Sequence, residues 1–377
     1  MKIKSIQAFA LSPDKASPYV EKNAPGATRE PWQMHAEVAS PMSHYPRFKA
    51  HRDSWRSTWP GVGCVIEADN GARGFGSTIF ATPVISIIND HLAPLLVGEN
   101  AADISGLYDM LTRLVSPYGA AGLSAYAISA IDLALWDLNA RREGVPVYQL
   151  AGGKQRDAIT CYATGNDTDW HMQLGFTATK LACPFGPADG EAGMQKNTDL
   201  VARTRNLIGP DIELMLDCWM AFDVDYAVAL SARLKPYNVG WIEDCLIPED
   251  VEAHHELRRR LPDQPLATGE HWYGTHMFVH AAKHRLVDTF QPDICWAGGF
   301  TACQRIAEIA DAADIAIIPH AGMNSTYGQH FNLATANAPL GELFVGSPPG
   351  VPLDQVTTDK PVPSEGLLIP GTEPGFG

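Results

Sequence analysis

Met215-Leu216-Asp217, Trp241-Ile242-Glu243, Ala267-Thr268-Gly269-Glu270, Phe290-Gln291-Pro292-Asp293 and Ile317-Ile318-Pro319-His320 share one pattern. Each is a short apolar run that closes on an ionisable side chain. Lys180 and Glu342 take a comparable place at two further runs. From Asp217 to Glu342 the intervals are 26, 27, 23, 27 and 22 residues. A barrel of eight strand–helix units in ~250 residues needs about 30 residues per unit. The charged groups therefore recur at one phase of a repeating unit, and in such a barrel that phase is the C-terminal mouth, where active sites are built.

Working outward, eight strand candidates alternate with helical stretches: Ile159–Ala163, Thr179–Ala182, Glu213–Leu216, Gly240–Ile242, Pro265–Ala267, Thr289–Gln291, Ala316–Ile318 and Leu343–Val345. That alternation predicts a parallel α/β barrel. Before it, Ala125 to Arg142 reads as an amphipathic helix with Ala127, Ile128, Ile131, Leu135 and Leu138 on one face, stopped by Gly144-Val145-Pro146. Near the N-terminus, Asn70-Gly71 between two strand-like runs signals a hairpin. The polar, aromatic-containing stretch 13–58, with Trp32, Tyr45, Phe48 and Trp55, reads as a lid. The expected division is an α+β capping and lid domain over 1–118, the barrel over 119–345, and a Pro/Gly-rich tail over 346–377 that returns to the cap.

Bulk properties narrow the function. With 377 residues, the chain exceeds what one small core needs. A net charge of −15 argues against a nucleic-acid partner, and no apolar run suits a membrane, so a cytoplasmic location is expected. Seven cysteines, with no CxxC pair, read as packed thiols.

Three carboxylates in phase, Asp217, Glu243 and Glu270, would repel one another unless a divalent cation lay between them. All-oxygen ligation suits Mg²⁺. The alternative is three separate helix caps. Asp293 and His320 fall on adjacent units, where a carboxylate orients an imidazole and raises its basicity. Lys180 is expected to meet a substrate carboxylate or oxyanion, or else to be a surface lysine. Glu342, placed across the mouth from His320, is expected to be protonated and to bond the same oxyanion.

Together, Met215 to Trp219, Trp241 to Asp244, Thr268 to His271, Gln291 to Asp293 with Gly298-Gly299, and Ile318 to His320 resemble the mandelate racemase branch of the enolase superfamily. Within it, Ser40 to Ser43, Tyr162 to Gly165, Gly186 to Gly193, Leu216 to Met220 and Pro374 to Gly377 are similar to the L-rhamnonate dehydratase group of acid-sugar dehydratases. The resemblance covers essentially the whole chain. It implies a modified (β/α)₈ barrel, one Mg²⁺ on Asp217, Glu243 and Glu270, and a sugar-acid substrate losing its 3-hydroxyl to give a 2-keto-3-deoxy acid. His320 would take the α-proton, oriented by Asp293, and Arg52 and His271 would contact substrate. It also implies a homo-oligomer, from dimer to octamer. Three departures bear on this. Many members carry Lys-x-Lys after the second strand, where this chain has Lys180-Leu181-Ala182. A lid histidine is replaced by Glu37, with His35 nearby. The stretch from His320 to Glu342 is longer, with Asn324 and Tyr327 at altered positions. The substrate is therefore expected to be L-rhamnonate or a relative such as L-lyxonate or L-mannonate. An epimerase or racemase, or a silent sugar-binding barrel, is the alternative.

Overall fold

The computed structural model describes residues 1–12, 24–34, 38–49 and 55–377. His35, Glu37 and Arg52 lie outside them. The N-terminal sheet is an antiparallel meander of β1 (Ile3–Ala10), β2 (Val62–Ala68) and β3 (Arg73–Thr78). The β2–β3 turn is the expected Asn70-Gly71, with Gly71 at φ 85°. Against this sheet lies the 21-residue helix Leu123–Glu143.

That helix differs from the expected amphipathic one. Every residue from Ser124 to Ala140 is buried, because one side covers the meander and the other covers the barrel. A helix enclosed on all sides needs no polar face, but its polar residues need partners. Asp137 accepts from the Phe75 and Phe376 amides at 2.9 and 3.0 Å, and Asp132 accepts from the Thr301 amide at 2.9 Å. Closeness to β3 explains two glycines: a Cβ on Gly74 or Gly76 would lie 2.1 Å from the carbonyl oxygen of Ala134 or Ala130.

Eight parallel strands follow: β4 (Ile159–Thr164), β5 (Ala178–Ala182), β6 (Glu213–Asp217), β7 (Ile242–Glu243), β8 (Leu266–Thr268), β9 (Thr289–Phe290), β10 (Ala316–Ile317) and β11 (Gly341–Phe344). They pair in sequence order from β4 to β10, and β11 returns beside β4. This is the modified (β/α)₈ barrel, with helices wrapped around it. After β10, the turn Gly322–Asn324 is tied to β11 by one side chain. The Asn324 amide group donates to the Phe344 carbonyl at 3.0 Å and accepts from its N–H at 2.8 Å. In the tail, β12 (Leu367–Leu368) runs antiparallel to β4, and Phe376 enters the barrel's outer core. All seven cysteines are free thiols.

Inside the barrel, Tyr162, Ala178, Met215, Trp241, Ala267 and Ile318 form an apolar floor. Strand side chains alternate with period two, so the residue two positions on points the same way, one layer higher. Those next residues are Thr164, Lys180, Asp217 and Glu243. The polar site therefore stands directly on the apolar floor.

Candidate active site

Register brings the acids together. Asp217 pairs with Glu243 across β6–β7, and Glu243 pairs with Ala267, three residues before Glu270. The Trp219 amide donates to Asp217 Oδ1 at 2.9 Å, and its indole N–H donates to Glu270 Oε1 at 3.1 Å. Glu243 Oε2 accepts from Trp241 Nε1 at 2.9 Å and from Gln291 Nε2 at 2.7 Å, while Oε1 is ion-paired with the Lys180 ammonium.

Lys180 and Glu342 lie differently from their expected places. Neither follows its strand. Lys180 is the third residue of β5 and Glu342 the second of β11, so both face into the barrel. Lys180 is fully buried between Glu243 and Glu342, 2.7 Å from Glu342 Oε1. Its charge is already committed to two carboxylates. Glu342 also accepts from Thr164 Oγ1 at 2.6 Å and from the Ala321 amide at 2.8 Å. Burial alone would raise its carboxyl pKa, but Lys180 and the His320 ring outweigh burial and hold it below the usual range. It is an ionised acceptor here, contrary to the expected protonated donor.

His320 and Asp293 meet as the spacing predicts. His320 Nδ1 lies 2.8 Å from Asp293 Oδ2, and Asp293 Oδ1 accepts from the Cys295 amide at 2.7 Å. The Trp296 ring packs on the imidazole with centroids 4.8 Å apart. Nε2 points inward, 3.3 Å from Glu270 Oε2. Burial works to lower the imidazole pKa, but Glu270 and Asp293 reverse that and raise it to about 10.

His271 sits between the Trp219 and Trp296 rings, with Nδ1 3.2 Å from Glu270 Oε1 and 3.6 Å from Asp244 Oδ2. Asp244 was not singled out from the sequence. Its only cue is adjacency to Glu243. Ligand atoms of Asp244, Glu270 and His271 lie within 4.8 Å of one another, while Glu243, of the expected set, has its Oε1 on the Lys180 ammonium. Trp241, Gln291 and Thr164 were also missed as partners. Left-handed backbone occurs at Trp219 (φ 41°), Met220 (φ 61°), Asp244 (φ 47°) and Ala321 (φ 48°) of the mouth, as it also does at Phe80, Asn238, Arg285, Asp314 and Glu365 elsewhere. Each such residue costs ~1–2 kcal/mol, a strain that concentrates at working sites.

The donors fit a hard divalent cation. Among the described residues, Asp217, Glu243, Asp244, Glu270, Asp293 and Glu342 lie with Lys180, His271 and His320 as their basic neighbours. Burial raises the Glu243 carboxyl to about 8 despite Lys180, with Asp217 and Glu342 adding to the rise, and burial also raises Glu270. Asp244 Oδ2 is buried without a hydrogen-bond partner. An excess of buried carboxylate oxygen is what Mg²⁺ takes.

The described lid segments reach this mouth. The Arg29 guanidinium bonds Asp167 at 2.9 Å and Asp169 at 2.6 Å, the Ala39 amide bonds the Cys183 carbonyl at 2.8 Å, and Trp55 packs on Trp219 with centroids 5.8 Å apart.

Fold and site together define a (β/α)₈-barrel enzyme with an acid-rich mouth and one oriented imidazole. Residues 168–377 match the enolase C-terminal domain-like family, and residues 54–152 match the mandelate racemase/muconate lactonizing enzyme N-terminal domain. An L-rhamnonate dehydratase of Saccharopolyspora erythraea is 36% identical over 383 residues, covering 100% of this chain and 96% of that protein. The crystal structure of rhamnonate dehydratase from Gibberella zeae complexed with Mg has a TM-score of 0.90 at 31% identity, covering 100% of this chain and 93% of that one. The chain belongs to the mandelate racemase/muconate lactonizing enzyme family of the enolase superfamily.

Proposed function

We propose that this protein is a Mg²⁺-dependent hydro-lyase that converts a sugar acid, L-rhamnonate or a relative such as L-lyxonate or L-mannonate, to its 2-keto-3-deoxy acid. The observation that carries this reading is the His320 imidazole, oriented by a carboxylate at the barrel mouth. His320 has its Nδ1 fixed by Asp293 and its Nε2 aimed into the mouth. Lys180, the one lysine of the barrel interior, is locked between two carboxylates, and Ala182 stands where a second lysine base would be. Two-base racemisation needs a group on the opposite face of the substrate. Elimination needs only one that takes a proton and returns it.

A cation on Glu270 would remove the main cause that raises the His320 pKa, leaving a neutral ring whose Nε2 takes the proton next to the substrate carboxylate while Asp293 stabilises the imidazolium that forms. The electron pair left on the α-carbon becomes an enediolate and then expels the 3-hydroxyl, which His320 protonates as it leaves as water. Asp217, Glu243 and Glu270 would hold Mg²⁺, which when bound would supply positive charge against the substrate carboxylate. Glu342, ionised and fixed by Lys180 and Thr164, orients what faces His320 from across the mouth. His271, 3.2 Å from Glu270 at the mouth, contacts the substrate; the other sequence candidates for this role, Arg52, His35 and Glu37, lie outside the described residues. The active form is a cytoplasmic homo-oligomer. No helix among the described residues is long and apolar enough to cross a membrane.

The test is to incubate purified protein and Mg²⁺ with these acids and measure 2-keto-3-deoxy acid. Formation of that product supports the proposal. A product epimerised at C2, or none with metal bound, overturns it.

A further inference from the structure

A second cluster of ligand-type side chains lies outside the mouth. His255 is on helix Val251–Arg260, which follows β7, and His280 and His284 are on helix His276–His284, which follows β8. Neighbouring strands carry neighbouring helices in a (β/α)₈ barrel, so the two helices stand side by side in the outer layer. His280 and His284 are four residues apart and share one helical face. His255 faces them from the other helix.

The three rings converge closely. Centroid separations are 5.1 Å for His255–His280, 4.9 Å for His255–His284 and 4.6 Å for His280–His284. His255 Nε2 and His280 Nε2 are 2.9 Å apart, and one ligand nitrogen from each ring lies within 4.8 Å of the others. Tetrahedral Zn–N bonds of about 2.0–2.1 Å set ligand nitrogens roughly 3.3 Å apart, inside the range these rings span. His255 and His280 are partly buried and His284 is exposed, which leaves the outward side open to water.

We propose that His255, His280 and His284 form a binding site for a borderline divalent transition metal of the Zn²⁺ class, separate from the carboxylate site in the mouth. Three imidazoles suit Zn²⁺, Ni²⁺ or Cu²⁺ and do not suit Mg²⁺, which prefers oxygen. A metal here pins the helix after β7 to the helix after β8, with an open position for water or another ligand. Without metal, the same geometry is a hydrogen-bonded histidine pair with a third ring packed on it.

The experiment uses untagged, full-length protein saturated with Mg²⁺ and titrated with Zn²⁺. Bound zinc per chain and the melting temperature are read for the native protein and for the double substitution His280→Gln/His284→Gln. One additional zinc per chain in the native protein, with melting raised by a few degrees and both effects lost in the variant, is the expected result. Equal zinc binding and equal shifts in the two proteins would overturn the site, as would no zinc bound by the native protein. His255→Gln, on the other helix, repeats the test independently, with an unchanged circular dichroism spectrum showing that the variant is folded.

Discussion

At the residue scale, chemistry hangs on a few contacts. Asp293 holds the His320 ring through a 2.8 Å bond to Nδ1, so Asp293→Asn keeps the shape but loses the negative charge that fixes tautomer and stabilises imidazolium. Turnover is expected to fall by ~10² or more with KM little changed, and steady-state kinetics on the best sugar acid checks this. Lys180 is a different case. Fully buried between Glu243 and Glu342, it neutralises a pair that has no other ammonium nearby. Lys180→Met leaves two buried carboxylates facing each other and should destabilise the fold by ~3–5 kcal/mol in urea titration. A native-like midpoint would show that the pair is relieved in some other way. The acids and the His–Asp pair were legible because ionisable residues recur at barrel phase. Asp244, Trp241, Gln291 and Thr164 were not, since nothing in spacing separates a carboxylate's partner from any other polar or aromatic strand residue. Lys180 and Glu342 were found, but one residue of register decides between mouth and interior, and short apolar runs do not fix strand ends to that accuracy.

At the element scale, the helix Leu123–Glu143 joins the two parts of the molecule. Its contact with β3 depends on missing side chains. Gly76→Ala places a Cβ 2.1 Å from the Ala130 carbonyl oxygen, so helix and strand must separate. Overpacking of this kind costs ~1–3 kcal/mol, read as a lowered melting temperature. The helix itself was legible, with its glycine stop. Its burial on both sides was not, because an Ala-rich sequence with scattered Ser, Asp and Asn resembles an amphipathic one until the partners of Ser129, Asp132 and Asp137 are placed. The strand alternation was legible to within two residues at most ends. The tie of Asn324, on the turn after β10, to Phe344 of β11 left no sequence signature.

At the scale of the whole molecule, two conditions should govern stability and activity. His171 and His330 are buried neutral rings: burial lowers their pKa values from 6.5 to about 3 and about 4. The unfolded chain binds protons at these positions first as pH falls. Stability is therefore full above pH 6.5 and is lost progressively down to about pH 4 for His330 and about pH 3 for His171, each by an order of a few kcal/mol. Denaturant midpoints from pH 7 to 4 should fall, and His330→Gln should flatten that fall. A profile identical to the native one would remove His330 from the explanation. The second condition is metal. Chelation with EDTA should abolish turnover and lower the melting temperature, because the buried mouth acids then lose the cation that offsets their mutual repulsion; added Mg²⁺ should restore both. Activity that persists in metal-free protein would contradict the assignment of Asp217, Glu243 and Glu270.

The most direct test of the central claim, that one imidazole at the barrel mouth moves the proton, is turnover of His320→Asn beside the native protein with Mg²⁺ and the best sugar acid. A loss of at least ~10²-fold, roughly 2.7 kcal/mol of barrier, with substrate binding retained, is the expected result. Undiminished turnover would contradict it.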